Sequence, residues 1–236
     1  MAPMQYARYR PYLYRSSTPT FDKDRLMTVF NRRLFLSALA LAPLALAATP
    51  GRSQAAADPA ILTPVNALIE TLLIVMKQGQ ATPFASRVTT LAPVVDRSFD
   101  LDAILRASAG TGFAALDAAQ QDALRAAFRD YTIASYVHSF NNFNGQRFEV
   151  QPDTRPVANG EQVVRTRIIP TSGESHALDY VVRASGNIWR VVDVLADGNV
   201  SRVAVQRSDF RRLLAQGGAP ALIGSLRAKV QELTTP

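Results

Sequence analysis

Two histidines, His138 and His176, and a complete absence of cysteine limit the nucleophilic and metal chemistry open to this chain. Without cysteine there is no thiol nucleophile, no thiolate zinc site and no N-terminal cysteine to acylate as a lipoprotein anchor. Neither histidine has a partner at H-x-x-x-H or H-x-H spacing, and a metal needs three or four ligands, so no metal centre is expected. His138 falls on the apolar face of a predicted helix beside Tyr131, the ordinary setting of a hydrogen-bonded core histidine. His176 is expected in an exposed hairpin.

Two short motifs approach known chemistry. "GTGFAA" (Gly110, Gly112, Ala115) fits the G-x-G-x-x-A of dinucleotide-binding loops. Such a loop must leave a strand and enter a helix, so that backbone N–H groups face a pyrophosphate. Here a predicted helix precedes it and no βαβ unit follows, so a helix–helix turn is expected. "GESHA" (173–177) comes within one residue of a nucleophile elbow, but it reads as a hairpin turn, and Ser175 and His176 would point to opposite sides of a strand. The carboxylate of interest is Asp193. In "IWRVVDV" the alternation that exposes Arg190 turns Trp189, Val191 and Asp193 inward together. A carboxylate on an apolar face must pair, hydrogen-bond or hold a proton, so Asp193 is either a structural partner or a general acid/base.

The elements that would position these groups change period midway. "DPAILTPVNALIETLLIVMKQG" places Val65, Leu68, Leu72, Val75 and Met76 at helical spacing and stops at Gly79. Thr82-Pro83 starts a second helix, expected to end near Ala92-Pro93. "SFDLDAILRASAG" is a third, capped by Ser98 or Asp100 and closed by Gly110. In the fourth, Asp117 and Gln120 approximate a capping box, and Leu124, Phe128, Tyr131, Ser135 and His138 share one face. Strands are then predicted at 147–151, 162–169, 177–184 and 188–195, joined by turns at Asn159-Gly160, Ser172-Gly173 and Gly186-Asn187. Arg165 and Arg167 face one side of the second strand, and Val164, Thr166 and Ile168 the other. In the third, Asp179 and Arg183 point outward while Leu178, Tyr180 and Val182 point inward. Two helices, around 202–215 and 219–232, flank Gly217-Gly218. The whole predicts an α+β domain with a four-stranded antiparallel sheet.

Ahead of this domain, residues 30–60 place Arg32 and Arg33 before a 15-residue apolar run, Leu34–Ala48, that contains Pro43. As a helix the run reaches about 22 Å, short of a hydrocarbon core of about 30 Å. A basic start, an apolar middle and small residues at the end make a cleaved export signal, with the mature chain beginning between Ala56 and Asp58. "NRRLFLS" also resembles the twin-arginine export pattern. Residues 1–26 show no hydrophobic period and read as an over-called start, with Met27 the natural initiator of a 27–57 signal. Eight of the 26 Lys/Arg and two of the 19 Asp/Glu fall in residues 1–57, leaving 18 and 17 in residues 58–236. The basic balance thus belongs to the leader and implies no nucleic acid. What remains is a single exported domain, 58–236, with an apolar sheet face and no evident catalytic set, which suits a carrier of apolar cargo.

Several stretches, in order, resemble the MlaC/toluene-tolerance family of periplasmic lipid carriers: "SFDLDAILR", "AAFRDYTIASYVHSF", "QVVRTRII", "LDYVVR", "IWRVVDVLADG" and "SRVAVQRSDFRRLLAQGGAPALIGSL". "SRVAVQRSDF" is similar to the HpnM branch, associated with hopanoids. The resemblance implies a nuclear-transport-factor-like fold whose curved sheet and helices enclose a pocket for acyl chains. It implies no cofactor, a phospholipid or hopanoid cargo, and partners in an inner-membrane ABC transporter complex and an outer-membrane lipoprotein complex. The pocket wall is then expected at Phe128, Tyr131, Val164, Thr166, Ile168, Tyr180, Val182 and Val191. The rival class is an enzyme on the same fold, an isomerase or dehydratase using Asp193 or Asp102 with His138.

Overall fold

The computed structural model describes residues 57–234, which fall in one compact unit, Gln54–Pro236. The expected over-called start, 1–26, and all but the last residue of the expected signal, 27–57, lie outside the described residues. Helix α1 (Pro59–Gln78) begins where the sequence demands: the Asp58 carboxylate accepts the Ala60 N–H at 3.0 Å and Pro59 takes the first position. It is apolar and long enough to cross a bilayer by length and composition alone. Instead Val65, Leu68, Leu72, Val75 and Met76 form a stripe buried in the protein.

Helix α2 (Phe84–Ser98) does not stop at Pro93 as expected. Pro93 lies on the exposed side, where its missing N–H costs least, while Leu91, Val94, Val95 and Ser98 are buried beyond and before it. Helix α3 (Leu101–Ala109) is capped by Asp100, whose Oδ1 accepts the Ala103 N–H at 3.0 Å. Gly110, at φ 65° and ψ −145°, turns the chain into a short α4 (Thr111–Ala114), so "GTGFAA" is a helix–helix turn. That backbone region is essentially closed to other residues, and a Cβ at Gly110 would meet the Arg211 guanidinium at 2.9 Å. Helix α5 (Ala118–Ser139) opens on a complete Asp117/Gln120 capping box. Its buried stripe is Leu124, Ala127, Phe128, Ile133, Ala134 and Val137, rotated from the expected Leu124–Phe128–Tyr131–Ser135–His138 face. Tyr131 and His138 are half-buried under the far end of α6 (Arg202–Thr234): Lys229 lies over the Tyr131 ring, and the Leu233 carbonyl is 3.3 Å from His138 Nδ1. Within α6 the helix breaks at Gly217–Gly218, as the sequence predicts, giving two arms.

The sheet has five strands, not four: β1 (Arg147–Pro156), β2 (Gln162–Ile169), β3 (His176–Ser185), β4 (Ile188–Ala196) and β5 (Val200–Ser201). They lie in the order β1-β2-β3-β4-β5 and every pair is antiparallel. β1 runs five residues past the expected end at 151, through an irregularity between Val150 and Thr154. Pro152 and Pro156 are tolerated because β1 is an edge strand. β5 is too short to show a period. Beside the other half of β4, Phe99 forms a parallel bridge with Val191, and the Asp100 N–H donates to the Val191 carbonyl at 2.9 Å. At β1, the Ala57 N–H donates to the Pro152 carbonyl at 2.9 Å.

One irregularity changes the reading of the sheet. Val182 pairs with Val191 and Val181 with Asp193, leaving Val192 as an extra residue on β4. This bulge turns Asp193 away from the face of Val191, and Val194 takes the inward position opposite Tyr180. The expected inward trio Trp189–Val191–Asp193 is therefore corrected to Trp189, Val191 and Val194. The helices and the inner sheet face share one continuous apolar cluster. Val163, Val181 and Val192 form a smaller one on the opposite face, with Ala103, Val157 and Leu195. Asp179, expected to point into solvent, lies on that opposite face but is buried, its Oδ1 accepting the Thr166 N–H at 3.0 Å.

Candidate functional site: the apolar interior

Three strands deliver the inner wall. Val164 lies opposite Tyr180 across β2 and β3, and Val182 opposite Val191 across β3 and β4. All four are completely enclosed. Alternation puts them on one face, and β-branched residues at three of the four positions suit a pleated buried surface. Ile168 sits half-buried further along β2. Thr166 is buried, but its hydroxyl donates to the Leu178 carbonyl, so its one donor is committed to the sheet. From α5, Phe128 meets Phe210 of α6 edge-on, with ring centroids 6.0 Å apart and 88° between planes. Tyr131 packs beside them, half-buried. The eight expected wall residues thus fall in two groups, a sheet group and an α5–α6 group, and all but Thr166 touch the same apolar cluster.

An aromatic chain that the sequence reading missed runs through this cluster. Phe99 packs on Tyr136 at 5.6 Å, Tyr136 stacks on Phe140 at 5.9 Å, and Phe140 meets Phe148 of β1 at 6.0 Å. The i, i+4 spacing of Tyr136 and Phe140 was the available signal. Burial drives the Tyr136 and Tyr180 phenols well above the ordinary tyrosine range, at Tyr136 despite the opposing charge of Arg202. Both keep their protons across the physiological range. Among the described residues the Tyr180 hydroxyl is buried with no partner in strict hydrogen-bonding geometry.

The catalytic alternatives do not assemble. Asp193 Oδ1 accepts the Val203 N–H at 3.1 Å and the Val194 N–H at 2.8 Å, and its Oδ2 accepts the Ser201 hydroxyl. Ser201 Oγ in turn accepts the Ala204 N–H at 2.9 Å, so the pair caps α6. Asp102 accepts from Arg106 Nε at 2.5 Å and Arg125 Nε at 2.7 Å at the surface. Partial burial would raise its pKa, but those two guanidiniums outweigh that and hold it below the ordinary carboxylate value. His138 engages Leu233. Each group has separate partners, and His176 and Ser175 lie exposed at the β2–β3 hairpin. Among the described residues no cluster of three His, Asp or Glu could hold a metal.

The described fold is therefore an α+β domain whose five-stranded antiparallel sheet and helices close around an apolar interior. The sequence matches the family described as MlaC protein over residues 66–228, more than half its length, and the chain belongs to that family. Its fold is similar to that of a phospholipid-binding protein from Ralstonia solanacearum, solved in complex with a phospholipid. The TM-score is 0.60 at 22% identity, over 77% of this chain and 100% of that one.

Proposed function

We propose that this chain is a periplasmic lipid carrier that moves phospholipid or a hopanoid-type lipid between inner and outer membranes within an Mla-type ABC transport system. The observation that carries the reading is the continuous apolar cluster between the inner sheet face and the helices, in a chain of the MlaC family. The phospholipid held by the Ralstonia solanacearum protein of similar fold supports the cargo class. Acyl chains leave water for such an interior at about 0.8 kcal/mol per buried CH₂, while a headgroup remains outside. Transfer needs no chemistry, which fits the separate structural engagements of Asp102, Asp193 and His138.

The wall of the loaded site comprises Phe128, Tyr131, Val164, Thr166, Ile168, Tyr180, Val182 and Val191. Residues 27–57 direct export and are removed near Ala57, and residues 1–26 are no part of the product. "SRVAVQRSDF", with its likeness to the HpnM branch, keeps a hopanoid beside phospholipid among the candidate cargoes. The test is native mass spectrometry of the protein purified from periplasm, followed by solvent extraction. A stoichiometric phospholipid or hopanoid is the expected result. A protein that stays empty after incubation with vesicles of either lipid overturns the reading.

A further inference from the structure

One polar group in the apolar interior is left unanswered by its surroundings. Tyr180 is completely enclosed on β3, flanked across the sheet by Val164 and Val194, and its hydroxyl has no hydrogen-bond partner among the described residues. The Tyr136 phenol of α5 lies close enough to interact with it, though outside strict hydrogen-bonding geometry, and even a bond between the two would leave one phenol proton without an acceptor. Phenylalanine would fill nearly the same volume without stranding a hydroxyl, and the aromatic chain beside it uses phenylalanine at 99, 140 and 148. A buried donor with nothing to bond is a net cost to folding, one that a ligand bringing an acceptor into the interior would remove.

We propose that the Tyr180 hydroxyl, seconded by Tyr136, hydrogen-bonds an oxygen carried within an otherwise apolar ligand, either the ester carbonyl of an acyl chain or the hydroxyl of a polycyclic lipid. This rests on the carrier reading and adds a point of recognition to it. Apolar walls alone discriminate ligands weakly, whereas a buried polar group penalises any ligand that cannot pair with it. In the described structure the hydroxyl lies wholly inside the apolar cluster. A lipid entering that cluster replaces apolar contact with apolar contact and supplies the missing acceptor. Both phenols remain protonated, so each has a proton to donate.

The experiment offers the exported chain three kinds of vesicle: diester phosphatidylcholine, its diether analogue, and the diether doped with a hydroxylated hopanoid. Bound lipid is quantified by native mass spectrometry for wild type and Tyr180→Phe. If the acceptor is an ester carbonyl, wild type prefers diester to diether by about 3- to 10-fold and Tyr180→Phe loses that preference. If it is a polycyclic hydroxyl, the two phosphatidylcholines bind alike and Tyr180→Phe weakens hopanoid uptake by a similar factor. Either result supports the assignment. A Tyr180→Phe protein that binds all three lipids as wild type does overturns it and leaves the carrier reading standing. Wild type that takes up none of them overturns the carrier reading, and the assignment with it. Thermal unfolding guards the comparison: loss of an unpaired hydroxyl leaves Tm unchanged or higher, and a Tyr180→Phe protein that fails to fold overturns the assignment by making the hydroxyl structural.

Discussion

Replacing Asp193 by alanine removes the acceptor of two N–H groups and one hydroxyl at once, where β4 hands over to α6. The expected loss is about 2 kcal/mol, seen as a Tm lower by roughly 4–8 °C. Asp193→Asn keeps one oxygen for the N–H groups and is expected to cost less than half as much, with lipid uptake unchanged. A general acid/base would instead lose its function fully in both variants, so thermal unfolding and uptake measured together separate the roles. Asp102 acts through charge. Because Arg106 and Arg125 hold its folded-state pKa below the ordinary carboxylate value, its contribution to stability is present above that value and fades as pH falls through the folded one. Asp102→Asn is expected to lower the urea midpoint slightly at pH 7 and to match wild type more closely at pH 3. The effect is small, since the pair is largely exposed to solvent.

Among the elements, Gly218 allows the break in α6. At φ 62° and ψ −158° its backbone lies where glycine alone is at ease, and the nearest atom to an added Cβ, Pro220 Cδ at 3.7 Å, is no obstacle. Gly218→Ala is therefore expected to cost about 1–3 kcal/mol through backbone conformation rather than crowding, read as a lower urea midpoint with an unchanged m-value. Such local signals were legible in the sequence: the Asp117/Gln120 box, the Asp100 cap, the Gly79 stop and the glycine pair each act through their own few residues. What escaped was decided at a distance. α2 passes Pro93 because buried side chains on either side hold it, and on α5 the core takes Ala127, Ile133, Ala134 and Val137, leaving Tyr131 and His138 half-buried beside α6. The Val192 bulge has no sequence signature, and a strict period of two carried Asp193 to the wrong face. The apolar wall on β2 and β3 was readable because no such slip intervenes there.

At the scale of the whole molecule, cargo and stability are linked. A lipid that binds only the folded chain raises stability by about 2.7 kcal/mol at a hundredfold excess over Kd. For a domain of this size the Tm should then rise by roughly 5–10 °C, and differential scanning calorimetry with and without lipid measures it. An unchanged Tm in saturating lipid would mean that folded and unfolded chains take up lipid equally. The borders of the sheet bear on a different hazard. On the free side of β4, Phe99 and Asp100 meet Val191 and β5 meets Leu195 and Ala196, while β1 carries two prolines and is met by Ala57. Among the described residues, these contacts and prolines interrupt the runs of vacant N–H and C=O groups on which strands of separate chains polymerise. Both borders are thereby blunted against edge-to-edge association, a hazard that grows with the apolar content of a chain.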